Sequence, residues 1–141
     1  MPSDLDAQID AFLAGSPFAV AGASASRHKY GNRVLRCYWQ RERSAYPINP
    51  HRSEVEGVRS YPSLSQVPEA VHGVSLVTQP AVSLTIVDEA LELGIRHFWF
   101  QPGAEHPTAL ERALAAGANV IAGGPCILVV LGYRAPAEER G

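Results

Sequence analysis

The chain has 141 residues, 46% of them hydrophobic and 18% charged, with a formal net charge of −2. This suits one domain with a substantial core and excludes a disordered chain, and the near-balanced charge gives no global attraction to nucleic acid or to an anionic membrane. No apolar run is long enough to span a bilayer, and Met1-Pro2-Ser3-Asp4-Leu5-Asp6 lacks the basic start and apolar stretch of an export signal, so a cytoplasmic protein is expected.

Leu5 to Leu13 places apolar residues at helical spacing behind Asp4, a capping residue, and Gly15-Ser16-Pro17 ends the segment. Phe18 to Ala21 reads as a first buried strand. Tyr30 to Arg43 reads as a helix with Val34, Leu35, Tyr38 and Trp39 on one side. Ala45 to Ile48 is a second strand, stopped by Asn49-Pro50. Residues 51–67 read as a loop-rich crossing with a short turn at 63–67, followed by a third strand over 73–78. The helix over 80–93 repeats Val82, Ile86, Ala90 and Leu93 about once per turn, and Gly94 ends it. A fourth strand (95–100), a helix (107–116) and a fifth strand (119–122) complete the series.

Strands alternating with helices predict an α/β, Rossmann-like doubly wound fold. Its mostly parallel sheet has five strands, or six with one further pairing, and helices cover both faces. One domain over 1–135 and a solvated tail over 136–141 are expected. Ligands of such sheets sit beyond the carboxyl ends of the strands. Here that edge comprises residues 22–29, 49–52, 78–80, 101–105 and 123–126.

The most informative part of this edge follows the first strand. Gly22, Ala23, Ser24 and Ala25 are small, Arg27 and Lys29 are basic, and a helix begins at Tyr30. Small residues let backbone amides approach an anion closely, and a helix start adds partial positive charge. The pattern therefore predicts a nucleotide-phosphate loop. It has neither the Gly-Lys-Ser/Thr ending of the nucleotide triphosphatase loop nor the three close glycines of the dinucleotide fingerprint. After the second strand, where NAD-binding domains place a carboxylate for the ribose, this chain has Asn49-Pro50-His51-Arg52. A guanidinium there suits a nucleotide with an extra phosphate near its ribose, either coenzyme A or NADP.

At this point the residues carry a family resemblance. The succession Ala21-Gly22-Ala23-Ser24, Lys29-Tyr30-Gly31, Tyr46-Pro47-Ile48-Asn49-Pro50, Gly57 with Tyr61-Pro62-Ser63-Leu64, Trp99-Phe100-Gln101-Pro102-Gly103 and Cys126 resembles the small stand-alone CoA-binding proteins. These are similar to the N-terminal nucleotide-binding domain of the succinyl-CoA synthetase α subunit. The resemblance implies binding of coenzyme A or an acyl-CoA. It puts the phosphates on Gly22, Ala23, Ser24 and Ala25 with Arg27 or Lys29 beside them and Tyr30 next to the loop. Asn49, Pro50 and Arg52 would stand at the ADP end, and Thr78, Gln79, Pro80, Trp99, Phe100 and Gln101 along the edge. The chain departs from the family pattern in having Gly124-Pro125 before Cys126 and Gln79-Pro80 in place of a more basic run.

No Ser-His-Asp order, nucleophile elbow or metal-binding spacing is visible, so no catalytic constellation and no metal site are expected. His28 and His51 fall where they can touch phosphates, whereas His97 lies within the fourth strand and reads as packed. Glu89 and Glu92 read as a water-facing pair, and His106 as a helix cap. Cys37 reads as core. Cys126 is the one reactive candidate, placed to exchange with a CoA disulfide. The leading expectation is a non-catalytic CoA or acyl-CoA binder. An NADP-binding part of a reductase and a ligand-free interaction module of the same fold are the alternatives.

Overall fold

A computed structural model describes residues 4–136. In chain order its elements are α1 (Asp4–Leu13), β1 (Phe18–Ala21), α2 (Tyr30–Gln40), β2 (Ala45–Ile48), β3 (Glu54–Val55), β4 (Val58–Arg59), a 3-10 turn (Leu64–Gln66), β5 (Gly73–Leu76), α3 (Pro80–Glu92), β6 (His97–Phe100), α4 (Pro107–Ala115), β7 (Asn119–Ile121) and α5 (Ile127–Leu131). The expected tail lies, from residue 137 onward, outside the described residues.

The main sheet has five strands in the order β2-β1-β5-β6-β7, and all of its pairings are parallel. The chain winds outward from β1 to β2, then returns across β1 to β5 and continues in the opposite direction. The reversal lies between β1 and β5, so their carboxyl ends open the crevice that such folds use for ligands.

Side chains on a strand alternate between the two faces of the sheet, and the core divides accordingly. Phe18, Val20, Trp99 and Ile121 pack with Phe12, Val34, Leu35, Tyr38 and Ile127, the layer of α1, α2 and α5. Ala19, Ala21, Val74, Leu76, Phe98 and Phe100 pack with Val87, Ala90, Ala109 and Ala113, the layer of α3 and α4. Cys37 is fully buried, as expected of a core residue, and burial pushes its thiol up to about 11. Trp39 is half-buried and its indole N–H donates to the Ala45 carbonyl at 3.2 Å, tying α2 to β2.

Most boundaries fall within two residues of expectation, the fourth strand starting at His97 and the fifth ending at Ile121, and three differences bear on the fold. The helix expected to reach Arg43 stops at Gln40, and Glu42 then takes a positive φ of 58°. The third strand is shorter than 73–78. Finally, the crossing over 51–67 contains the antiparallel hairpin β3–β4, turned by Glu56 and Gly57, both at positive φ. Two residues at positive φ are what a tight two-residue hairpin turn requires.

Candidate functional site

β1 runs directly into a loop whose backbone is shaped by two glycines. Gly22 has φ +88°, and a Cβ there would lie 2.4 Å from the Val77 carbonyl oxygen. A Cβ on Gly31 would lie 2.0 Å from the carbonyl oxygen of Gly22. The first turn of α2 is therefore pressed backbone to backbone against the end of β1, which only glycine permits at either position.

The carbonyls of this loop are held by side chains from behind. Asn49 Nδ2 donates to the Ala23 carbonyl at 2.8 Å and Asn32 Nδ2 to the Ser24 carbonyl at 2.7 Å. Arg36 donates to the Arg27 carbonyl at 2.8 Å and, through Nε, to Asn32 Oδ1 at 2.6 Å. In a trans peptide the N–H points opposite to the C=O. Anchoring the Ala23 and Ser24 carbonyls therefore turns the amides of Ser24 and Ala25 away from those anchors. The amides of Ala23, Ser24 and Ala25 donate to no protein atom among the described residues. At the start of α2, Arg33 is the first residue whose N–H reaches back, to the Lys29 carbonyl at 3.2 Å, so the amides of Tyr30, Gly31 and Asn32 are also unengaged. Lys29 stands at this helix start without an ion-pair partner among the described residues. Oriented N–H groups, a helix N-terminus and the Lys29 ammonium thus form a cradle whose chemistry suits an anion.

The cradle opens into a cleft of about 730 Å³, of which Gly22, Ala23, Ser24, Lys29, Tyr30, Asn49, Pro50 and Thr78 form part of the wall. Two smaller hollows adjoin it. One, of about 390 Å³, shares Asn49, Pro50, His51 and Pro62 with the cleft and adds Arg52, Arg59 and Ser60. The other, of about 310 Å³, shares Tyr30, Val77 and Thr78 and adds Gln79, Pro80 and the 102–104 loop. Eleven of the sixteen expected residues thus meet at one continuous surface.

The remaining five do not. Trp99 and Phe100 are buried in the core layers on either side of the sheet. Ala25 and Arg27 line none of these hollows, and Arg27, half exposed, turns to Glu56 of the β3–β4 turn at 3.8 Å. Gln101 is 1% exposed, and its Oε1 accepts from Ile127 N at 3.0 Å and from the Tyr30 hydroxyl at 3.2 Å. Period-two alternation puts Gln101 on the Trp99 side of the sheet, behind Tyr30 rather than in the cleft. His51 lines the cleft and the arginine hollow, whereas His28 is exposed and lines neither. The His106 ring accepts from Thr108 N at 3.1 Å and caps α4. The Tyr30 hydroxyl contacts Cys126 Sγ, and burial followed by this hydrogen bond pushes the phenol well above its usual range.

Several residues of the site were not anticipated, and Glu89 is the chief one. Rather than facing water, it lines the cleft, and its Oε1 accepts from Leu64 N at 2.8 Å. Val82, Thr85 and Ile86 line the same wall, and Val82 is 48% exposed. The face of α3 that enters the core consists instead of Ser83, Val87 and Ala90. The spacing 82, 85, 86, 89 was the available signal, one helical face ending in a carboxylate. Among the described residues no His, Cys, Asp and Glu side chains form a group able to hold a metal ion, and no helix is long and apolar enough to cross a membrane.

A family model described as a CoA binding domain matches residues 16–132. Among solved structures, a conserved hypothetical protein from Pyrococcus furiosus is 34% identical, covering 82% of this chain and 99% of its own at a TM-score of 0.76. A hypothetical protein from Pyrococcus horikoshii OT3 is 25% identical, with 90% of this chain and 89% of its own covered and a TM-score of 0.84. The dinucleotide-forming acetyl-coenzyme A synthetase 1 of Ca. Korarchaeum cryptofilum is 27% identical over 73% of this chain, with a TM-score of 0.61. The match covers only 25% of that larger protein.

Proposed function

The chain belongs to the CoA binding domain family, and on that premise we propose that it binds coenzyme A or an acyl-CoA at the carboxyl edge of its sheet without transforming it. The observation that carries this reading is the cradle of unengaged amides at Ala23–Ala25 and Tyr30–Asn32 beside Lys29, opening into the large cleft. The cradle fits the pyrophosphate of the ligand, because the glycine contacts at Gly22 and Gly31 leave backbone rather than side chains facing it. Arg52 and Arg59 in the adjoining hollow suit the extra phosphate on the CoA ribose. The hollow of Tyr30, Thr78, Gln79 and Pro80 gives the pantetheine arm a path along the sheet edge. The structural likeness to a protein named as an acetyl-coenzyme A synthetase favours CoA over NADP.

The test is thermal unfolding and titration calorimetry of the protein with CoA, acetyl-CoA, dephospho-CoA, NADP and NAD. CoA species at 100 times their dissociation constant should add about 2.7 kcal/mol, which raises the Tm of a chain of this length by about 9 °C. A shift with NADP alone would replace this reading with the reductase one, and no shift with any nucleotide would support an interaction module. Arg52→Ala should weaken CoA more than dephospho-CoA, about tenfold against little change. Equal losses would place Arg52 away from the ribose phosphate.

A further inference from the structure

The wall of the main cleft formed by α3 presents Val82, Thr85, Ile86 and Glu89, positions i, i+3, i+4 and i+7 of one helical face. At 1.5 Å per residue, Glu89 lies about 10 Å along α3 from Val82. Ile48, Pro50 and Pro62 line the same cleft. Thr85 and Ser63 add neutral hydroxyls to these largely apolar walls, and the one carboxylate lining the cleft among the described residues is Glu89, half-buried at the far end of the helical face. Glu89 is only partly used by the protein. Its Oε1 accepts from Leu64 N at 2.8 Å, while Oε2 lies 3.5 Å from Ser65 Oγ, the limit of a hydrogen bond. An ionised carboxylate only accepts, so a planar group entering this slot must present an N–H edge to it and not a carbonyl.

We infer that Glu89 reads the base of the bound nucleotide, accepting a hydrogen bond from the exocyclic 6-amino group of a purine in the cleft lined by α3, Pro50 and Pro62, and thereby selects 6-amino over 6-oxo purines. This rests on the CoA-binding reading. It goes beyond that reading because the phosphates alone would tolerate any base. In that pose a 6-oxo purine would turn carbonyl lone pairs toward the carboxylate and would have to shift to offer its N1–H instead, and discrimination of this polar kind is larger than an apolar slot can supply. Glu89 is therefore a specificity-determining residue as well as an anchor for the 3-10 turn.

The probes are CoA, its 1,N6-etheno derivative, which has no 6-amino hydrogens, and the isosteric pair adenosine and inosine 3′,5′-bisphosphate. The wild-type protein should prefer CoA over etheno-CoA, and the adenosine over the inosine bisphosphate, by about tenfold to a hundredfold. Glu89→Gln keeps an acceptor for Leu64 N and the side-chain volume, so the fold is preserved and its Tm serves as the control. In this variant the adenosine-to-inosine ratio should collapse to within about threefold, because the Gln amide can also donate to a 6-oxo group. If CoA binds but the two bisphosphates bind equally to the wild type, the inference is overturned and the CoA-binding reading stands. A preference that survives undiminished in Glu89→Gln would place the discriminator elsewhere. If neither CoA nor either bisphosphate binds, the CoA-binding reading fails and the inference falls with it.

Discussion

At the amino ends of the strands, side chains close on one another. At the carboxyl ends of the same strands, backbone is left unengaged. On the closed edge Phe12 of α1 stacks on Phe18 at 5.2 Å, meets Trp99 edge-on at 5.3 Å, and reaches the first residue of β5, where a Cβ on Gly73 would lie 2.9 Å from its ring. The His72 and His97 rings lie 4.3 Å apart beside it, and Gln8 and Asn119 join α1 to β7 through bonds of 2.9 and 2.8 Å. On the open edge the corresponding positions are Gly22, Ala23 and Ser24, whose contribution is backbone direction rather than contact area. One edge supplies stability and the other leaves hydrogen-bonding capacity for a ligand. Substitutions at the two edges should therefore separate stability from affinity.

The largest expected effect lies at the closed edge. Phe12 is fully buried, and Phe12→Ala should cost about 3–5 kcal/mol, lowering Tm by roughly 10–17 °C. CoA affinity measured well below that Tm should stay within about twofold, because the ring packs on Phe18, His97 and Trp99 and against Gly73. A variant with unchanged Tm and lost affinity would overturn the division between the edges.

Next come the open-edge variants. Gly31→Ala puts a methyl 2.0 Å from the Gly22 carbonyl oxygen and must move the start of α2 off the loop. Ser24→Leu leaves that packing alone and covers the amides. Calorimetry should show both losing CoA affinity by tenfold or more, with the Tm of Ser24→Leu within about 2 °C of wild type. Unchanged affinity in Ser24→Leu would put the phosphates away from this loop.

How legible these edges are in the sequence depends on period and length. The five strands of the main sheet are short apolar runs bounded by Gly, Pro or Asn, and their order along the chain follows from the runs alone. The hairpin β3–β4 escaped because strands of two residues carry no period. On α3, Val82, Ile86, Ala90 and Leu93 recur about once per turn, yet their surroundings differ. Val82 and Ile86 face the cleft, Ala90 faces the core with Ser83 and Val87, and Leu93 is 49% exposed. Their spacing therefore does not show that Glu89, expected to face water, lines the cleft beside Val82 and Ile86. Gln101 erred in the other direction. Its place just past a strand suggests the loop edge, yet the alternation Phe98, Trp99, Phe100, Gln101 already assigns it to the Trp99 side. Arg27 carries charge of the right sign, but sequence cannot show that Glu56, 29 positions later, returns to meet it.

The smallest effect sharpens the comparison through pH. His97 sits against His72 and Phe12, and Asn119 Nδ2 lies 3.2 Å from its Nδ1. Burial first, and the neighbouring His72 second, lower its pKa below 6.5. Between that lowered value and 6.5 the unfolded chain binds more protons than the folded one, so stability rises with pH through this window and falls as pH drops below about 6.5. Above pH 7 the contribution is fully present and Tm should be flat with respect to this group. Tm should therefore decline by a few degrees between pH 7 and 5.5, and His97→Gln, which has no ring to protonate, should decline less over the same range. An equal decline in both proteins would mean that the acid sensitivity of the closed edge resides in groups other than this ring.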